Sequence, residues 1–103
     1  MAARKSAPGP TIALPALPRR LADMTPVQVE GVIGYLGSLT LARLRDRQAV
    51  DNRQIAQAWK MTHGENRDTA LANLQIDQEL VAEAIARMSF PGHRRVIDVT
   101  RWR

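Results

Sequence analysis

The distribution of proline is the feature that most limits how this chain can fold. Four of the six prolines lie within residues 6–20 (SAPGPTIALPALPRR). Proline fixes φ, lacks an amide donor and biases the preceding residue toward extended backbone. This stretch therefore predicts a polyproline-like arm and excludes a helix. Ile12, Leu14 and Leu17 alternate with the prolines, and two interpretations remain open: a disordered leader, or an apolar arm that docks on a surface.

The residues that follow have helical periodicity. Thr25-Pro26 is typical of a helix start, with threonine as the N-cap and proline in the first turn. Apolar residues then recur at helical spacing, and they recur again at nearly heptad spacing over residues 68–88. Asp51 resembles a second N-cap, which predicts a break near residues 49–52 or a helix that runs on to about residue 61.

These patterns predict an all-α fold, an antiparallel helical hairpin or three-helix unit with extended, basic N- and C-terminal arms. The sequence Phe90-Pro91-Gly92 ends the last helix, and the residues after it alternate roughly, as in a strand. The predicted segments are a proline-containing arm over 1–24, a helical domain over 25–90 with helices at about 26–50, 52–62 and 68–88, and an arm or short strand over 91–103.

The positive charge is placed at the two ends. The whole chain carries +5, but residues 21–90 carry nine acidic and seven basic side chains. A compact nucleic-acid-binding domain normally carries its positive charge on the folded surface itself, so the arms are the basic feature here. Contacts to phosphate or to an acidic partner are predicted for the basic residues of the arms and of the central helix: Arg4, Lys5, Arg19, Arg20, Arg43, Arg47, Arg94, Arg95, Arg101 and Arg103.

Small residues and one aromatic residue predict protein interfaces. Gly34, Ser38 and Ala42 are four residues apart and would form one flat face on a continuous helix, suited to close approach of another helix or subunit. Trp102 either folds back onto the domain or anchors the tail in a partner. With the apolar arm, the predicted interface comprises Ile12, Leu14, Leu17, Gly34, Ser38, Ala42 and Trp102.

The residue inventory does not favour catalysis. There is no cysteine, and the two histidines, His63 and His93, have no cluster of ligands around them. The carboxylates of Asp77, Glu79 and Glu83 are predicted to be solvated, or to receive the arm arginines of a neighbouring copy. We expect no enzyme activity, no metal and no cofactor. No apolar stretch reaches the length of a membrane span, and the first residues lack the apolar core of a signal peptide.

Two functions therefore remain as hypotheses. The first is a non-catalytic structural protein that binds neighbouring protein subunits through its helices and arms, as a homo-oligomer or as a small component of a virion or other multi-subunit particle. The alternative is a small accessory protein for nucleic-acid binding or DNA packaging, with non-specific arginine contacts to phosphate. Both predict a protein located in the cytoplasm or within an assembled particle.

Overall fold

The computed structural model describes residues 17–103. Within this range the chain forms three α-helices, two short 3-10 turns and no strand, which confirms the all-α class for the described residues. The helices are α1, Pro26–Leu36; α2, Leu41–Ala58; and α3, Glu65–Ser89. The 3-10 turns are Leu21–Asp23 and Val99–Trp102. The predictions for residues 1–16, including those for Arg4, Lys5, Ile12 and Leu14, lie outside the described residues.

Helix α1 begins where the sequence predicts. Thr25 is the N-cap, its hydroxyl accepts the Gln28 amide at 3.3 Å, and the Gln28 side chain accepts the Thr25 amide at 2.9 Å. This capping box satisfies two of the backbone donors that a helix start leaves open, and Pro26 occupies the first turn, where it needs no acceptor.

The predicted continuous helix over residues 26–50 is wrong. The chain turns at residues 37–40, because Thr40 caps a new helix by accepting the Arg43 amide at 3.2 Å. Gly37 and Ser38 are poor helix formers, so they do little to favour a helix that continues across this turn. Of the two alternatives at residues 49–52, the structure shows the helix that runs through, since Asp51 is buried within α2 instead of capping a new helix.

Helix α3 is the central element of the fold. Helices α1 and α2 and the turn Leu21–Asp23 all pack against it. It begins at Glu65, earlier than predicted, and ends at Ser89, as Phe90-Pro91-Gly92 predicts. Gly92 has φ +85°, a left-handed conformation that glycine adopts without steric cost.

The apolar core joins all three helices to the segments on either side of them. It combines residues of α1 and the second half of α3 with Leu44 of α2 and with the segments before α1 and after α3. Ala22 and Met24 are buried, so residues 21–24 belong to the domain. The sequence had placed these residues in the arm predicted over 1–24. Ile97 and Val99 are buried as well. Residues 91–103, predicted as an arm or a short strand, contain no strand and form a coil that leads into the 3-10 turn Val99–Trp102.

Replacing Met24 with alanine tests whether the segment before α1 is part of the core. Met24 is fully buried, so we expect its truncation to lower the free energy of unfolding by about 2–5 kcal/mol. Met61→Ala is the matched control, because Met61 is 44% exposed and its loss should cost far less. Urea unfolding followed by circular dichroism measures both. Equal effects of the two substitutions would contradict the burial of Met24.

Candidate functional site

The C-terminal segment is held on α3 by acidic residues of the same chain. The Trp102 indole donates to Glu79 at 3.1 Å, and Arg95 and Arg101 contact the other oxygen of that carboxylate. Arg103 donates to the carbonyl oxygens of Met24, at 2.9 Å, and Ala22. Of the two interpretations of Trp102, the structure shows the fold-back onto the domain.

One turn further along α3, Glu83 is a buried acceptor for the same segment. Its carboxylate is 4% exposed and accepts the Arg95 amide at 2.9 Å and the Arg87 Nε at 2.7 Å, and it pairs with His93 at 3.1 Å. Burial alone would raise the pKa of Glu83, but the hydrogen bonds outweigh it and lower the pKa to about 2. The expectation of a solvated carboxylate at Glu83 is therefore wrong.

Arg87 extends this contact to α1. Its guanidinium donates to both carboxylate oxygens of Glu30, at 3.2 and 3.3 Å, and to the Arg95 carbonyl at 3.1 Å. Three segments that are distant in sequence therefore meet at a single side chain. A guanidinium suits this position because its fixed fork of donors can serve several acceptors at once.

A second polar cluster lies between α2 and α3. Arg47 donates two hydrogen bonds to Asp77, at 3.0 and 2.6 Å, so this predicted phosphate contact already has an acceptor within the chain. Asp51 lies beside them, 5% exposed, and as an anion it would leave its buried Oδ2 without a donor. Burial, together with hydrogen bonding and repulsion from Asp77, raises the pKa of Asp51 to about 7. Protonated Asp51 can donate to Asp77.

The predicted small-residue face does not exist as one surface. The turn at residues 37–40 places Gly34 on α1 and Ala42 on α2, while Ser38 lies in the turn itself and donates to the Tyr35 carbonyl. A methyl group added at Gly34 would meet no atom within 4 Å, so no close contact depends on this glycine. All three residues are exposed.

The outward face of α2 is a surface that sequence reasoning missed. On the side that faces α3, α2 buries Leu44, Asp51 and Ala58, which are spaced by seven residues. Seven residues are almost two helical turns, so the opposite side is a second stripe at the same spacing. We call it the α2 outer face; it consists of exposed residues at three- and four-residue steps, Ala42, Asp46, Ala49, Arg53 and Ala56, together with exposed Lys60 in the turn that follows the helix.

Charge and apolar side chains flank the α2 outer face. The side chains of Arg43, Arg45, Arg53 and Lys60 have no hydrogen bond or ion pair with residues 17–103, in contrast to the arginines on α3 and in the tail that contact Glu79, Glu83 or Glu30. Val50 and Trp59 are 39% and 56% exposed. The Arg67 guanidinium lies 5.2 Å from the Trp59 ring centroid, a cation–π distance that orients the indole.

The remaining predicted residues are on the surface or in small pockets. Leu17 is 39% exposed and lines a small apolar cavity with Met24 and Leu80. Arg19 and Arg94 are exposed and have no hydrogen bond or ion pair among the described residues, while Arg20 lies 4.0 Å from Asp23.

Metal ligands, membrane-spanning helices and similarity to known proteins bear on the kind of site. Within residues 17–103 no group of three or more His, Cys, Asp or Glu is placed to hold a metal ion. No helix in the same range is long and apolar enough to cross a membrane. Comparison with protein-family models, curated proteins and solved structures finds no match to this chain.

We predict that Glu83→Gln lowers the free energy of unfolding by about 2–4 kcal/mol at pH 7, because it removes the negative charge that pairs with Arg87 and replaces one acceptor oxygen by an amide NH2 that cannot accept. The folded pKa of Glu83 lies below its unfolded value, so its contribution is present above about pH 4.5 and is lost as the pH falls toward 2. The difference in free energy of unfolding between wild type and Glu83→Gln should therefore be smaller at acidic pH. Chemical unfolding at pH 7 and pH 3 measures it, with exposed Glu65→Gln as the control. A constant deficit at both pH values would contradict the lowered pKa.

We predict that the wild-type protein loses stability as the pH rises from 4 to 7, and that Asp51→Asn does not show this loss. The folded pKa of Asp51 is raised, so its favourable contribution is complete below the unfolded value near 3.8 and is lost as the pH rises to about 7. Asparagine stays neutral and can still donate to Asp77, and the variant should be more stable than wild type at pH 8 by about 1–2 kcal/mol.

Thermal unfolding across pH 4–8 tests this prediction. Asp46→Asn is the matched control, because Asp46 is exposed on the same helix and its neutralisation should leave the slope unchanged. If wild type and Asp51→Asn show the same pH dependence, the pKa of Asp51 is not raised in the folded protein. The hydrogen bond from protonated Asp51 to Asp77 is then wrong.

Proposed function

We propose that this chain is a non-catalytic assembly protein that binds neighbouring protein subunits, as a small component of a virion or another multi-subunit particle, located in the cytoplasm or within the assembled particle. The observation that carries the proposal is the amount of α2 that the fold leaves uncovered. Only Leu44, Asp51 and Ala58 of its 18 residues are buried. A helix contributes to the stability of a domain mainly through the face it buries. The buried face of α2 is only one residue wide, and its central residue, Asp51, is polar.

The exposed groups of α2 are those that protein interfaces use. Trp59 has more than half of its surface exposed, and Met61, just beyond the helix, is 44% exposed. Tryptophan, methionine and arginine are enriched in interfaces, where aromatic anchors supply much of the binding energy. Arg67 holds the indole by its cation–π contact, which reduces the entropy that binding would cost.

The N-terminal arm, for which the sequence predicts an extended path, is the second part of the proposed interface. Its apolar residues Ile12 and Leu14 precede Leu17, which lies at the edge of the apolar cavity beside Met24. Pro15, between Leu14 and Leu17, and the prolines on either side of this stretch lower the entropy cost of fixing an extended path against a partner.

Nucleic-acid binding through basic arms has less support. Arg95, Arg101 and Arg103 already donate to acceptors within the domain, and so does Arg47 on α2. Contacts to phosphate would have to break these bonds or rely on the other basic residues. Since affinity for nucleic acid grows with the number of phosphates neutralised, each arginine held within the domain weakens that alternative.

A photo-crosslinking residue at position 59 tests the proposal. We expect p-benzoylphenylalanine in place of Trp59 to form covalent adducts with protein in the cells from which the sequence derives, because the indole lies at the proposed interface. The same residue at position 27 is the control, since Val27 is 82% exposed and lies on α1. Adducts with nucleic acid only, or equal protein adducts at both positions, would contradict a protein interface on α2.

A further inference from the structure

Two exposed helix faces of this chain are complementary in charge and spacing. The first is the α2 outer face, whose charged residues, Asp46, Arg53 and Lys60, are supplemented by Arg43 and Arg45 at its edges. The second runs along the first half of α3 and consists of exposed Glu65, Asp68, Ala72 and Gln75; we call it the α3 outer face. Both faces follow the alternating three- and four-residue steps of helices that pair side by side.

The charges on the α3 outer face are not used within the domain. The carboxylates of Glu65 and Asp68 have no hydrogen bond or ion pair with residues 17–103. Arg20, on the opposite wall of the cleft beside them, lies 4.0 Å from Asp23 instead. By contrast, Asp77, Glu79 and Glu83 all have arginine partners within the chain. Among the described residues, the α3 outer face therefore carries two unpaired acids, whereas α2 and the turn after it carry the unpaired bases Arg43, Arg45, Arg53 and Lys60 against one unpaired acid, Asp46.

The small residues of both faces permit close packing. Alanine occupies positions 42, 49 and 56 of α2 and position 72 of α3, each exposed. Alanine at the contact lets helix axes approach toward the short end of the usual 8–10 Å range. At that distance the long Arg53 and Lys60 side chains can reach past the contact line to carboxylates on a facing helix, as flanking charges do in coiled coils.

We propose that the partner is a second copy of this chain, with the α2 outer face of one copy bound to the α3 outer face of the next. This inference rests on the proposed function and names the partner of the same surface. A pair of copies joined by one such contact leaves one face of each kind open. The open faces either meet each other in a reciprocal second contact, which closes a two-fold dimer, or bind further copies into a ring or a filament. Trp59, which is 56% exposed and adjacent to Lys60 at the end of α2, adds apolar area beside the contact.

Charge reversal on the two faces separately gives a sharp test. In R53E/K60E the α2 outer face becomes acidic and should repel the acidic α3 face, whereas in E65K/D68K both faces become basic. We expect each variant alone to weaken self-association at least about tenfold, measured by sedimentation velocity at tens of micromolar protein. An equimolar mixture should restore assembly, because each reversed face then meets its complement on the other variant.

Controls keep the result specific to the interface. Circular dichroism establishes that each variant keeps its helix content, and E65Q/D68N repeats the loss without placing cations at the start of α3. A monomeric wild-type protein, assembly that survives both reversals, or a mixture that stays monomeric would each overturn the inference. An adduct at position 59 with a different protein, together with a monomeric wild type, would overturn the second copy as partner and leave the proposed function standing.

Discussion

The rest of the structure depends on the buried carboxylate of Glu83. An anion with 4% exposure is stable only when donors surround it, and here the donors come from the following turn of α3 and from the C-terminal coil. Arg87 carries the contact onward to Glu30 of α1. The apolar core of so short a chain is small, and this polar junction defines how α1, α3 and the tail meet.

Charge is divided unequally over the surface as a result. Helix α3 uses Asp77, Glu79 and Glu83 to hold arginines of the chain itself, which is why the basic tail does not extend into solvent. Helix α2 has no such acceptors for most of its basic residues. A surface ion pair contributes little to stability, but an array of unpaired charges on one helix steers and selects partners. The proposed interface follows from this division.

Local signals predicted part of the fold, and long-range contacts decided the rest. Thr25-Pro26 and Phe90-Pro91-Gly92 are read from neighbouring residues alone, and both boundaries are confirmed. The helix break at residues 37–40 was missed because the apolar spacing continues through it, and only the Thr40 cap marks it. The roles of Glu79 and Glu83 depend on Arg95 and Arg101, which lie 12–22 residues away in sequence, and no periodicity reveals these contacts. The α2 outer face was hidden for another reason: seven-residue spacing of alanine is inconspicuous until the opposite side is known to be buried.

The hydrogen bonds from Arg103 to the carbonyl groups of Ala22 and Met24 span about eighty positions of the chain. During translation, residues 21–24 leave the ribosome several seconds before the segment that covers them, at ordinary rates of synthesis. In that interval Met24 and the apolar face of α1 have no cover from Ile97 and Val99. The nascent chain therefore presents an unfinished apolar surface, which chaperones or an already folded neighbour can contact first. Completion of this domain is tied to the synthesis of its last turn.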